Sequence, residues 1–121
     1  MTAIPGTCRE VRLKVRPDGL PSAGNFDIVS VPLPIPVDGE VLVRNRYFLV
    51  SASLRMMISK GAENVDGVPF RALREGETLA GEALGEIVSA PAGSGFSPGD
   101  LILHFRGWRE YATVPIAQCR R

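Results

Sequence analysis

Residues 81–112 constrain the fold more than any other part of this sequence, because short apolar runs there alternate with glycine- and proline-containing turns. The tripeptide Pro-Gly-Asp at 98–100 predicts a tight turn, since proline presets φ, glycine accepts positive φ and aspartate can hydrogen-bond its own backbone. After this turn, residues 101–105 alternate in a period of two, which is typical of a strand. The segment therefore predicts three short strands with tight connections.

The same pattern of strands and turns extends over most of the chain. Residues 11–16 alternate apolar and basic side chains, which predicts a half-buried strand with its basic residues, Arg16 among them, on the wet face. Further strands are predicted over residues 26–31 and 40–50. The prolines between them cannot donate to a ladder, so that stretch is expected at an edge or in a polyproline-like crossover. The sequence therefore predicts a mainly β fold, a small β-barrel with one or two helical turns.

One short helix is predicted after the longest strand. Ser51 or Ser53 can accept a hydrogen bond from an unpaired amide at its start, and Gly61 can end it. Residues 62–78 carry no clean period and are expected to form a long loop, either a rim over a cleft or a surface loop without a special role. Three apolar residues share one face of the predicted helix: Leu54, Met57 and Ile58.

Composition narrows the classes of function. The 121 residues carry a formal net charge of +1, which gives no electrostatic reason to expect nucleic acid or an anionic membrane as partner. No window approaches the ~20 apolar residues of a membrane-spanning helix, and the N-terminus has no secretory signal pattern. Cys8 and Cys119 are therefore expected to be reduced thiols in a cytoplasmic protein, with a disulfide between them as the alternative. The length suits one domain over residues 1–121.

Several segments together resemble the N-terminal, GroES-like domain of the medium-chain dehydrogenase/reductase superfamily. Residues 81–88 correspond to the glycine-rich strand G-G-G-V-G-R-V-V of its zinc-independent branch, and residues 107–112 to the segment G-W-Q-E-Y-A. That branch contains prostaglandin reductases, alkenal double-bond reductases and quinone oxidoreductase-like enzymes. Of the segment D-P-Y-M-R that follows the long strand in these relatives, only Arg55 is identical here, and Ser53 stands in the place of the tyrosine.

The resemblance implies the substrate-side domain of a zinc-independent, NADPH-dependent oxidoreductase. Such enzymes reduce activated alkenes (enones or enals) or quinones by hydride transfer. No residue is assigned a catalytic role. Five residues are candidates for the substrate cleft, three with polar groups and two that would shape the pocket: Ser51, Ser53, Arg55, Met56 and Trp108. Core packing is the alternative for Met56 and Trp108, and an exposed helix position is the alternative for Arg55.

Two kinds of binding site are not predicted on this chain. No G-x-G-x-x-G loop stands between a predicted strand and a helix, so the nucleotide-binding Rossmann domain is expected to be absent, and the chain alone is expected to bind no NADPH. Zinc-dependent relatives carry a cysteine near the position of Ser51 and a histidine after that of Gly81. Serine and Glu82 stand there instead, so no zinc is expected. His104, the single histidine, is expected to be a structural strand residue, and a proton donor in the cleft is the alternative.

The implied partners are a nucleotide-binding domain, in cis or in trans, and a small enone or quinone as substrate. The chain would then be a truncated domain, inactive on its own. The alternative is a non-catalytic, stand-alone barrel that acts as a binding or self-association module. Its apolar face, left without a second domain, would in that case form a homodimer.

Overall fold

The computed structural model describes residues 4–62 and 71–121, and in these ranges the chain is built mainly of strands. The strands are β1 (Thr7–Leu13), β2 (Phe26–Pro32), β3 (Glu40–Phe48), β4 (Ala83–Ser89), β5 (Leu101–His104) and β6 (Tyr111–Pro115). Helix α1 (Ala52–Met57) lies between β3 and β4, and 3-10 turns are formed by Ala23–Asn25 and Ile116–Gln118. The mainly β fold class predicted from the sequence is confirmed.

The strands form two antiparallel sheets. β1 and β2 pair over their whole length in one sheet, and the other has the order β5-β4-β3-β6. The second edge of β1 is linked to the segment before β6, because Val11 N donates to Trp108 O (3.0 Å) and Glu110 N donates to Arg9 O (3.0 Å). These bonds connect the two sheets, and closure into a complete barrel stays a prediction.

The long loop predicted over residues 62–78 is described only in part. Residues 63–70 lie outside the described ranges. The following residues run beside β1, where Leu13 N donates to Glu77 O (2.9 Å) and Leu79 N donates to Val11 O (2.9 Å). This part of the loop therefore extends the smaller sheet.

The prediction that Arg16 lies on the exposed face of the first strand is wrong. β1 ends at Leu13, so Arg16 does not lie on the wet face of a strand. Its guanidinium donates to the carbonyl oxygens of Met57 (3.3 Å), Ser59 (2.8 Å) and Leu73. The last carbonyls of a helix have no partner within it, and a cation there also complements the helix dipole. Arg16 thus joins the end of β1 to the end of α1.

Helix α1 begins where the sequence predicts it and ends earlier. Ser51 is the N-cap, and its Oγ accepts a hydrogen bond from Leu54 N (3.3 Å). The C-cap is Ile58, so the helix ends before Gly61. Five buried residues from β1, α1 and the segment before β4 pack into one core cluster: Leu13, Leu54, Ile58, Leu73 and Leu79.

A second core cluster covers one face of the four-stranded sheet. It consists of Val41, Val43, Ile87, Ile102, Ala112 and Val114. Gly85, in the middle of β4, lies so close to its neighbours that a Cβ there would be 2.1 Å from Val43 Cγ1 and 3.3 Å from His104 Nε2. The strands can approach this closely only because residue 85 has no side chain.

The final residues lie along the outer edge of β5. Leu103 N donates to Arg120 O (2.6 Å), and Arg120 N donates to Leu103 O (3.0 Å). The guanidinium of Arg120 lies 5.4 Å from the ring centroid of Phe105, and that of Arg121 lies 4.5 Å from the ring centroid of Phe96. Backbone bridges and cation–π contacts therefore hold residues 120 and 121 on the sheet.

Cys8 is buried and Cys119 is half-buried, and both are free thiols in the structure. Burial raises the pKa of both thiols, so both are protonated at neutral pH. In the described parts of the chain, no helix has the length and apolar character needed to cross a membrane.

Candidate functional site

The end of β3 and the two residues after it expose a continuous run of large apolar side chains. The exposed fractions are 73% for Tyr47, 42% for Phe48, 55% for Leu49 and 72% for Val50. Successive side chains of a strand point to opposite faces, so this run leaves both faces open within the described structure. Single exposed apolar residues are ordinary, whereas several neighbouring ones make a segment a candidate for contact with a ligand or a partner. We call residues 47–50 the apolar run.

Phe48 lines two pockets. The first, which we call the Trp108 pocket, has a volume of about 280 Å³, and its apolar lining is Val11, Ile28, Phe48 and Trp108. Its polar lining consists of Arg9, Glu10, Asn45, Arg46, Arg109 and Glu110. The second pocket, of about 240 Å³, is lined by Tyr47, Phe48, Leu49, Glu82, Ala83, Leu84 and Leu103. Residues of the apolar run therefore line two pockets, each with room for one ring that carries a small substituent.

Trp108 adopts a strained backbone conformation. Within the described ranges it is the one residue other than glycine with a positive φ, at 59°. For a bulky residue this conformation costs about 1–3 kcal/mol, and it persists only where the surroundings impose it. Here Val11 N binds Trp108 O, and the indole ring packs against Phe48 with ring centroids 4.6 Å apart and planes inclined by 38°. Such strain is concentrated at functional sites, which makes Trp108 a candidate.

The indole nitrogen of Trp108 is a second unusual feature. Its Nε1 is buried and has no hydrogen-bond partner among the described residues. Most buried donors in folded proteins are paired, and leaving one unpaired costs about 1–3 kcal/mol. Trp108 therefore destabilises the folded state in two ways, through its backbone conformation and through its unpaired indole N–H. Other interactions of the fold must offset both.

A network beneath the pocket fixes the loop that carries Trp108. His104 Nδ1 accepts from Arg106 N (3.0 Å), so Nε2 carries the proton and donates to Asn45 Oδ1 (2.7 Å). Asn45 Nδ2 in turn donates to the carbonyl oxygens of Arg106 and Arg109, both at 2.9 Å. Asn45 therefore holds both ends of the 106–109 loop to β3.

His104 is fully buried and uncharged. Burial, and then the positive charges of Arg109 and Arg106, lowers its pKa from 6.5 to about 4. Both ring nitrogens are already engaged within the network. The structure therefore agrees with a structural role for His104 and leaves it no free nitrogen to act as a proton donor in a cleft.

The charged residues around the Trp108 pocket are already paired. Glu110 accepts from the backbone N of Arg9 (2.6 Å) and from its Nη2 (3.1 Å), and Arg46 pairs with Glu86 at 3.0 Å. The pKa of Glu110 is lowered by its hydrogen bonds with Arg9. Arg109 is largely buried, which lowers its pKa, and it donates to two backbone carbonyls. The pocket thus combines an apolar floor with charges that have partners of their own.

The five residues predicted for the cleft fall into two groups. Trp108 lines the Trp108 pocket, whereas the other four lie at α1 and are absent from the described lining of both pockets. The Oγ of Ser51 caps the helix, and Arg55 donates to Ser59 Oγ (2.6 Å) and to Gly19 O (2.7 Å). Ser53 and Met56 are exposed on the helix surface, three and six residues after the end of the apolar run.

Sequence reasoning missed Phe48, the residue shared by both pockets. The signal was present, because the apolar residues 47–50 follow one another without the alternation of a half-buried strand. That run was absorbed into the long predicted strand over 40–50. Glu82 was considered only as a position without a zinc ligand, although it lines the second pocket.

The described residues show no cluster of metal ligands and no dinucleotide-binding loop. They contain no group of three or more His, Cys, Asp or Glu residues that could hold a metal ion. Their α-helix, α1, has six residues and follows Ser51 rather than a glycine-rich turn. A pyrophosphate needs the N-terminus of a helix behind such a turn. That this chain alone binds no NADPH stays a prediction.

Comparison with known proteins gives consistent relatives. The family described as the N-terminal domain of oxidoreductase matches residues 9–121. The NADP-dependent oxidoreductase YfmJ of Bacillus subtilis is 28% identical over 113 residues, which cover 93% of this chain and 31% of that protein. Prostaglandin reductase 1 of Bos taurus is 29% identical over 94 residues, which cover 78% of this chain and 25% of that protein. The chain thus spans less than a third of these relatives.

Among solved structures, CurA from Vibrio vulnificus is similar with a TM-score of 0.76 and 26% identity. The match covers 88% of this chain and 30% of CurA. The structure of CurA in complex with NADPH matches with the same TM-score and 25% identity. The arrangement of strands described above is therefore one that occurs within longer chains.

Proposed function

Because the chain belongs to the family of N-terminal domains of oxidoreductases, we propose that it is the substrate-side domain of a zinc-independent, NADPH-dependent reductase. Its substrates would be activated alkenes (enones or enals) or quinones. The names of the similar proteins, an NADP-dependent oxidoreductase and a prostaglandin reductase, support the cofactor and the reaction class. The observation that carries the assignment to the substrate side is the apolar run beside two ring-sized pockets.

In this proposal the chain's own residues bind and orient the substrate and exclude water. The apolar run and the floors of the pockets remove a small carbonyl compound from solvent, which is favourable in proportion to the apolar area buried. Trp108 shapes one pocket, and Ser53 and Met56 are exposed on α1, where a docked domain would meet them. Ser51 and Arg55 act by holding the helix in place, since their polar groups are engaged locally.

The cofactor would be held by a nucleotide-binding domain, joined to this one or associated with it. That domain would also cover the apolar run, which accounts for four exposed apolar side chains in succession. The 121-residue chain alone would then be inactive. We place the enzyme in the cytoplasm, for which the free thiols of Cys8 and Cys119 are suited.

The test compares the 121-residue chain with the longest natural product that contains it. Each is mixed with NADPH and a panel of enones, enals and quinones, and the loss of NADPH absorbance is followed. We expect substrate-dependent oxidation by the longer product, no oxidation by the chain alone, and no effect of a zinc chelator. Absence of NADPH oxidation over the whole panel would contradict the reductase assignment, and turnover by the isolated chain would contradict the division of roles.

A non-catalytic module is the second candidate. The apolar run favours it as well, because a second copy of the chain could cover the same side chains. In that case the longer product would show no turnover, and the chain would be a dimer in solution. The oligomeric state, treated in the Discussion, separates the two candidates.

A further inference from the structure

We propose that the Trp108 pocket is a binding site for a neutral, flat ring, such as the ring of an aromatic ketone or a quinone. That this ring belongs to the substrate rests on the proposed function. The binding itself depends only on the pocket, so it can be measured on this chain without a cofactor.

The floor of the pocket is apolar and aromatic. Phe48 and Trp108 present two inclined rings, and Val11 and Ile28 complete the apolar lining. Ile28 is 71% exposed and Phe48 is 42% exposed, so a ligand would remove apolar surface from water. Aromatic rings gain further energy from offset or tilted contacts with other rings.

The size of the pocket limits the ligand. Its volume of about 280 Å³ lies just below the range of about 300–1,000 Å³ that is usual for sites of drug-sized ligands. One ring with a small substituent fits this volume, and a larger molecule would place only one ring inside it. The ligand is therefore a small molecule or the ring end of a larger one.

The charges around the pocket favour a neutral ligand. Arg9 is held by Glu110, Arg46 by Glu86, and Arg109 by backbone carbonyls. A carboxylate ligand would compete with Glu110, Glu86 and these carbonyls for the three guanidinium groups, and it would also meet Glu10 and Glu110 in the lining. A neutral ring avoids both costs, since it needs no charged partner.

The pocket is formed before any ligand binds. Asn45 fixes the 106–109 loop from both ends, and Val11 N holds the backbone of Trp108 in its strained conformation. A site that is already ordered loses little conformational entropy on binding, which raises its affinity. In this proposal, the strained backbone of Trp108 holds the indole ring in a fixed position against Phe48, where the ring lines the pocket.

The test uses Trp108 as its own probe, since the chain has a single tryptophan. Acetophenone, a neutral aromatic ketone without a reducible alkene, is titrated into the chain, and benzoate is titrated as the charged compound with the same ring. We expect acetophenone to quench the tryptophan emission and to shift the indole N–H resonance with saturation. Benzoate should bind about fivefold more weakly. An unchanged indole resonance up to the solubility limit, or tighter binding of benzoate, would overturn the proposal.

A matched pair of variants locates the binding site. Ile28→Asp places a charge in the lining, and Ile35→Asp makes the same change at a residue that is 85% exposed and outside the pocket. Both variants should fold, because neither side chain is buried, and circular dichroism checks this. We expect Ile28→Asp to weaken acetophenone binding about fivefold or more and Ile35→Asp to leave it unchanged. Equal affinity of both variants would refute the site. Binding without any NADPH oxidation by the longer product would contradict the proposed function alone.

Discussion

Asn45 joins parts of the chain that are far apart in sequence. Its side chain accepts from His104 and donates to the carbonyls of Arg106 and Arg109, which lie 59, 61 and 64 residues away. A half-buried amide with its donors and acceptor all engaged contributes to a unique arrangement, because any displacement leaves a polar atom unpaired. The position of Trp108 therefore depends on a residue in a different strand.

The burial of His104 makes stability depend on pH. In the folded chain its pKa is lowered to about 4, whereas in the unfolded chain it returns to about 6.5. Between these values the unfolded chain binds more protons, so the free energy of unfolding should fall as the pH decreases from about 6.5 toward about 4. The full effect is about 3 kcal/mol.

Urea denaturation between about pH 7 and about pH 5 measures this dependence, with His104→Gln as the control. The variant should be less stable at neutral pH, because the glutamine amide can still donate to Asn45 but does not supply the ring Nδ1 that accepts from Arg106 N. Its stability should vary less with pH. Glu77 and Glu110 have lowered pKa values because of hydrogen bonds with Arg71 and Arg9, so they titrate mostly below this range. An equally steep pH dependence in the variant would refute the role of His104.

Arg16 illustrates what local pattern cannot supply. Alternation with apolar neighbours placed it on a wet strand face, and this prediction was wrong because the strand ends at Leu13. Its acceptors on Met57, Ser59 and Leu73 lie 41 to 57 residues away. A guanidinium can bind any unpaired carbonyl that the fold brings near it. The alternation of apolar and polar residues carries no information about such contacts between distant segments.

At the level of elements, α1 depends on its surroundings. It has six residues, and isolated helices shorter than ~12–15 residues are marginal in water. Three contacts compensate for this: the Ser51 cap at its start, Arg16 at its end, and the burial of Leu54 and Ile58 on its inner face. Loss of any one of them should loosen the helix.

A pair of serine variants tests the cap. Ser51→Ala removes the side-chain oxygen that accepts from Leu54 N, and we expect the free energy of unfolding to fall by about 1 kcal/mol. Ser53→Ala, at an exposed position inside the helix, should change it by less than about 0.5 kcal/mol. Urea denaturation of both variants measures the difference. Equal losses would show that the cap is not what stabilises the start of α1.

Most elements could be predicted from the sequence, and their pairing could not. The strands near residues 26–31, 40–50 and 101–105 were predicted from alternation and turn residues, with bounds that differ by a few residues. The order β5-β4-β3-β6 and the link from β1 to Trp108 depend on contacts between distant residues. Trp108 was singled out from its own segment, whereas its contact with Phe48 is a pairing of this kind between distant residues.

At the scale of the whole molecule, the apolar run exposes four large apolar side chains in succession in the described structure. We expect the isolated chain to bind an environment-sensitive hydrophobic dye, and Val50→Glu to reduce that binding. Val37→Glu is the matched control, since Val37 is similarly exposed but lies outside the run. Dye fluorescence measures the effect, and an equal decrease in both variants would show that the apolar run is not the dye-binding surface.

The same two variants identify what covers the run. Under the proposed function the chain is a monomer at micromolar concentration in sedimentation experiments, and the longer product binds less dye because the nucleotide-binding domain lies over residues 47–50. A dimer that Val50→Glu dissociates and Val37→Glu does not would instead support the self-association module. A monomeric chain would thus support the reductase proposal, in which a second domain completes the substrate site.

The paired backbone of Leu103 and Arg120 has a mechanical consequence. A polypeptide joined after residue 121 would begin next to a residue that is hydrogen-bonded to the edge of a sheet, and not at the end of a flexible linker. Because residue 120 is paired with β5, that strand would set the direction in which the attached segment begins. A rotation of this domain would therefore rotate the start of that segment as well.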